Sequence, residues 1–146
     1  MIDPTAMAEA IADVLAPTGL IVYPFPDRAY ALDCLTITPV TPFITYDRTF
    51  GATGIGEVAF DLEVRLSTAG GLEPAYRHMY QLLGTDNDVS IFDLLRADPT
   101  FGGLIHHGIA REVSAPREEM TDRGDELVAV FGITVQERRG PGRVAP

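Results

Sequence analysis

Gly56-Glu-Val-Ala-Phe-Asp-Leu-Glu-Val-Arg-Leu-Ser-Thr68 is the stretch whose reading decides the fold. Val58, Phe60, Leu62, Val64 and Leu66 alternate with Glu57, Ala59, Asp61, Glu63, Arg65 and Ser67. Alternation over this length is the pattern of a strand with one buried face and one wet face. The apolar side predicts a core. The other side sets three carboxylates against one arginine, and the purpose of that acidic ribbon is the functional question.

Downstream, Ala69-Gly-Gly71 turns the chain into a helix whose stripe is Leu72, Ala75, Tyr76, Met79, Leu82 and Leu83. Pro74 is tolerated in its first turn and Gly84 ends it. Ser90, with Asp93 three residues on, predicts the N-cap of a short helix carrying Ile91, Leu94 and Leu95. Asp98-Pro99 and Gly102-Gly103 mark a turn. Leu104 to Ser114 reads as a strand, Ala115 to Gly124 as a polar connection, and Leu127 to Gln136 as the last strand. That strand places Ala129, Phe131, Ile133 and Val135 on one face, and Val128 and Val130 on the other. Apolar residues on both faces predict a central strand, or one covered by a neighbouring subunit. Residues 138–146 read as a flexible C-terminal tail.

Upstream, Asp3-Pro4 reads as an N-cap followed by proline at the first helical position. Met7, Ile11, Val14 and Leu15 form one apolar stripe, and Pro17-Thr-Gly19 stops the helix. Leu20 to Tyr23 reads as a short strand and Asp27-Arg28 as a turn. Leu32 to Thr38 reads as a second strand with Leu35 and Ile37 on one face. Pro39 and Pro42 bracket the next few residues and confine them to an edge or a loop. Thr45 to Gly56 reads as a loop, with three glycines in six residues. Its G-x-x-G-x-G spacing is not that of a dinucleotide site, and no strand-to-helix context surrounds it.

Composition narrows the function classes. A chain of 146 residues, 46% apolar and 22% charged, fits one ordinary globular domain. No run approaches the length of a membrane span. Met1-Ile-Asp-Pro has neither the basic nor the apolar region of a signal peptide. The single cysteine, Cys34, excludes an internal disulfide and reads as a small buried hydrophobe. The net charge is −10, and every basic residue is arginine, a bias that suggests a GC-rich coding genome. Such an acidic protein is poorly suited to gripping nucleic acid, because affinity for phosphates comes from basic side chains.

The chemical motifs are sparse. Asp86-x-Asp88-x-Ser90 imitates a calcium loop but has Ile91 at the sixth place and Ala97 at the twelfth, so a capping turn accounts for it better. His106 and His107 are neighbours on a predicted strand and are expected to point to opposite faces, which argues against joint metal binding. Asp61 and Glu63 share a face, but nothing nearby offers a nucleophile, a ligand set or an oxyanion motif. The sequence makes a weak case for an enzyme.

The order of elements nonetheless resembles a known family. A short N-terminal helix leads to strands and the glycine-rich loop. The alternating strand then leads to a helix, the Ser90-capped helix with Ile91-Phe-Asp-Leu-Leu95, the Asp98-Pro99 and Gly102-Gly103 turns, and a closing strand pair. This arrangement, over roughly residues 3–137, resembles the tail terminator (tail-completion, or minor tail) proteins of phages with long non-contractile tails. The resemblance implies a single α+β domain over 1–137, a mostly antiparallel or mixed sheet backed by two or three helices. It also implies a homo-hexameric ring that caps the tail tube, stops its polymerisation and offers a docking surface to the head. The implied partners are further copies of the chain, the tail tube protein and a head–tail connector or stopper protein. The resemblance further implies that DNA passes through the ring without specific binding, with neither a cofactor nor a membrane involved. The implied location is the head-proximal end of the virion tail, and the host cytoplasm during assembly.

Two groups of site residues are expected on this basis. Glu57, Asp61 and Glu63 face the channel or its rim, the bland alternative being a solvated sheet face. Tyr46, Asp47, Arg48, Phe50, Gly54 and Gly56 form an assembly loop. Two other classes stay open: another neck or head-completion protein, and a small ligand-binding domain or enzyme.

Overall fold

Asp3 does start the first helix, its carboxylate accepting the amide N–H of Ala6 at 3.1 Å. Pro4 occupies the first turn of α1 (Pro4–Leu15), which buries Met7, Ala8, Ile11 and Leu15. The computed structural model describes residues 3–27, 30–46, 56–122 and 124–137. After α1 a 3-10 turn over Ala16–Thr18 ends at Gly19, whose φ of 81° suits a residue without a Cβ. The remaining elements are β1 (Ile21–Tyr23), β2 (Cys34–Thr45), β3 (Glu57–Ser67), α2 (Leu72–Leu83), α3 (Ile91–Ala97), β4 (Ile105–Val113), β5 (Arg117–Thr121) and β6 (Gly124–Glu137).

These strands form one mixed six-stranded sheet in the order β1-β2-β3-β6-β4, with β5 also paired to β6. β1 runs parallel to β2, and the other pairings are antiparallel. The described residues thus form an α+β domain with three α-helices on its sheet. β3 and β6 are the centre, matched without a break from Glu57↔Gln136 to Ser67↔Glu126. The alternation of β3 is complete: Val58, Phe60, Leu62, Val64 and Leu66 are at most 4% exposed. They pack with Ala129, Phe131, Ile133 and Val135 of β6, Leu35 and Ile37 of β2, and Met7, Ile11, Leu15, Met79, Leu82 and Ile91 of the helices. Each of these side chains larger than alanine contributes about 1.5–3 kcal/mol by leaving water.

Ser90 caps α3, its hydroxyl accepting the N–H of Asp93 at 3.1 Å and donating to the carbonyl of Gly84. The Asp93 carboxylate does not return to Ser90, as a full capping box requires. It instead accepts the N–H groups of Asp86 and Asn87, so the acidic segment is a capping turn. Cys34 is fully buried.

Several elements differ from expectation. β2 begins at Cys34 and continues to Thr45 through Pro39 and the cis Thr41–Pro42 bond, with a register shift between Pro39 and Ile44. It survives two prolines because β1 covers only Cys34–Thr36; beyond that β2 is an edge, where no ladder bond is required of a proline nitrogen. The expected polar connection over Ala115–Gly124 contains β5, and β6 begins at Gly124. Arg117-Glu-Glu-Met-Thr121 has no apolar alternation, so its strand state comes from backbone pairing to β6 alone. Leu72, expected on the apolar stripe of α2, is 43% exposed in the first turn. The expected turn at Asp27-Arg28, and the tail at 138–146, lie partly or wholly outside the described residues.

Candidate functional site

The face of β3 opposite the helices carries Glu57, Asp61 and Glu63, and the structure gives each a partner. Glu57 lies across from Gln136, whose Nε2 donates to Glu57 Oε1 at 3.1 Å. Glu63 receives the guanidinium of Arg65, with Nε at 2.6 Å from Oε1. Asp61 receives Nη2 of Arg111 at 3.2 Å, from a strand that is not its neighbour. That reach has a specific cause. Gly132 of β6 stands opposite Asp61, and a Cβ there would lie 2.9 Å from Cζ and Nη2 of Arg111. The missing side chain is the passage through which Arg111 crosses β6, and the same Nη2 also donates to the carbonyl of Phe60 at 2.9 Å.

At the Ser67 end the face is dry. Arg65 stands between Cys34 of β2 and Val128 of β6, both fully buried. Its guanidinium also lies 3.8 Å from Glu126, which is 1% exposed. Burial by itself lowers the pKa of Arg65, but Glu63, Glu119 and Glu126 outweigh it, so the net shift is upward and the guanidinium stays charged. Glu119 Oε2 is 3.0 Å from Arg117, close enough for an ion pair though not aligned for a hydrogen bond. The ribbon is therefore half-buried and cross-linked, where the sequence alone displays it as bare carboxylates. It remains rich in acid, with Glu57, Asp61, Glu63, Glu119 and Glu126 against Arg65, Arg111 and Arg117.

Of the expected assembly loop, Tyr46 and Gly56 are described, and Asp47, Arg48, Phe50 and Gly54 lie outside the described residues. Tyr46 is 69% exposed. Gly56 is clasped to the end of β6: its N–H donates to Glu137 Oε1 at 3.1 Å, and its carbonyl accepts the N–H of Glu137 at 2.9 Å. The carboxylate of Glu137, only 4% exposed, thereby fixes where the loop rejoins the sheet.

His106 and His107 do not point to opposite faces. Their ring centroids are 4.7 Å apart, because the register of β4 slips between Ile105 and His107 and breaks the alternation. Among the described residues no group of three or more His, Cys, Asp and Glu side chains is placed to hold a metal ion. No described helix is long and apolar enough to cross a membrane.

Concave surfaces also lie toward the two ends of the sheet. Between α3 and β4 an apolar groove of about 180 Å³ is lined by Phe92, Leu95, Phe101, Ile109 and Ile133, with Arg96 at its rim. Between α1 and β1 a cleft of about 390 Å³ is lined by Glu9, Ala12, Asp13, Leu20 and Val22. Sequence reasoning missed Arg111, Gln136 and Glu126 as partners of the acidic face. Gly132 inside an otherwise apolar strand is the one signal that another group approaches there. The sequence matches no protein-family model and no curated protein.

Proposed function

We propose that the protein is a ring-forming structural subunit of a phage tail, resembling the tail terminators, that caps the tail tube and presents a docking surface to the head. The observation that carries this reading is the disposition of the sheet. Its helices lie on one face, its acidic residues on the other, and an outer strand lies at each end of the order β1-β2-β3-β6-β4. Copies joined edge to edge in this way put the helices outside and the face of Glu57, Asp61 and Glu63 toward a lumen. Carboxylates lining a channel repel phosphates, so DNA passes without being held. The tail tube protein and a head–tail connector or stopper protein are the partners on the two ends of the ring.

Light scattering combined with negative-stain images of the purified chain tests the class. A sixfold ring that decorates the ends of isolated tail tubes is the expected result. Decoration of portal ends instead identifies a neck or head-completion protein. A chain that stays monomeric both alone and with tube ends overturns the reading.

A further inference from the structure

We infer that successive copies join head to tail through opposite ends of the sheet, the β1 edge and α1 of one copy seating on the β4 edge and α3 of the next. This deepens the ring reading and rests on it. β1 and β4 are the first and last strands in the order, so joining one to the other extends the sheet without limit or closes it into a ring. Both edges carry apolar side chains in water. Ile21 is 52% and Phe25 47% exposed at one end; Ile109 is 43% and Val113 42% exposed at the other. An added strand supplies main-chain hydrogen bonds, and an adjoining groove takes its alternate side chains. The groove between α3 and β4 is apolar and adjoins the edge in question.

Charge picks the partner. Arg96, at the rim of that groove, stacks on Phe92 at 5.9 Å and makes no ion pair among the described residues. In a chain with 21 acidic residues and 11 basic ones, an arginine left without a carboxylate is conspicuous. Glu9 and Asp13, exposed on α1 beside β1, likewise make no ion pair among the described residues. Head-to-tail docking sets these carboxylates against Arg96. Pairing β4 with β4 of a second copy turns Arg96 toward its own duplicate and leaves β1 open. The free part of β2 is a poorer edge, since Pro39 and Pro42 lack N–H donors.

The test uses the full chain and native mass measurement. Arg96→Glu alone, and Glu9→Arg with Asp13→Arg in a second variant, each weaken assembly at least tenfold. An equimolar mixture of the two variants restores it, because the mixture again offers complementary contacts. Unchanged assembly of both variants overturns this choice of edges while leaving the ring reading intact. Loss of assembly without rescue in the mixture overturns the pairing of Arg96 with Glu9 and Asp13. A wild-type chain that never assembles, with or without tube ends, overturns both the inference and the ring.

Discussion

The two faces of β3 are held in the protein by different forces, although they alternate along the same eleven residues. On the helix side, burial is complete and needs no directional partner, since apolar side chains gain by leaving water wherever they pack. On the opposite side, burial is partial and the carboxylates are matched individually: Glu57 by Gln136, Asp61 by Arg111, Glu63 by Arg65. The first face is robust to conservative change and sensitive to lost volume. The second is sensitive to lost partners, and its sensitivity depends on how dry the partner is.

Leu62, fully buried at the middle of the strand, gives the largest expected effect. Leu62→Ala costs about 3 kcal/mol in chemical denaturation, with little change in the denaturant slope. A loss below about 1 kcal/mol would mean that the helices do not close on this face. Arg65→Met comes next. It removes the guanidinium that is bonded to Glu63 and lies 3.8 Å from the buried Glu126, at a cost of about 2 kcal/mol. The pKa of Arg65 is raised in the folded state, so its contribution is complete below the unfolded value and fades only as pH rises through the higher folded one. The difference between wild type and Arg65→Met is therefore constant from about pH 5 to about pH 9 as far as Arg65 itself is concerned. A gap in melting temperature that closes on going from neutral to mildly alkaline solution contradicts this assignment.

The smallest effect on stability is expected from neutralising the wetter part of the polar face. Asp61 and Arg111 are about one-third exposed, at 34% and 33%, so their ion pair is worth under about 1 kcal/mol. Glu57→Gln, Asp61→Asn and Glu63→Gln together keep most hydrogen-bonding groups and remove three charges. Assembled rings of this variant are expected to retain short duplex DNA that wild-type rings exclude. Equal exclusion by both detaches this face from the channel.

The contrast between the faces also explains what is legible in the sequence. Hydrophobic alternation needs only the chain itself, so the core face of β3, the stripe of α1 and the caps at Asp3 and Ser90 can be read directly. The caps are local hydrogen bonds, spanning three residues. The partners on the polar face come from far along the chain: Gln136 is 79 residues from Glu57, and Arg111 is 50 from Asp61. No periodicity encodes those distances. β5 is hidden for a similar reason, since its strand state is set by the neighbour and not by its side chains. The histidine pair defeats the alternation rule because a register slip in β4 has no local signature beyond the nearby Gly108. The loop residues Asp47, Arg48, Phe50 and Gly54 lie outside the described residues.

Arg111 lying across Gly132 gives the sheet a mechanical property. An outer strand ordinarily peels away by breaking its bonds to one neighbour in succession, and its amides exchange with solvent early. Here the outer strand β4 is stitched through the vacant position on β6 to the backbone and side chain of β3, two strands inward. Peeling it must also release a bond anchored in the middle of the sheet. Force applied to that edge, whether by thermal fraying or by a neighbouring copy pulling on it, is thus delivered to the three-strand unit as a whole.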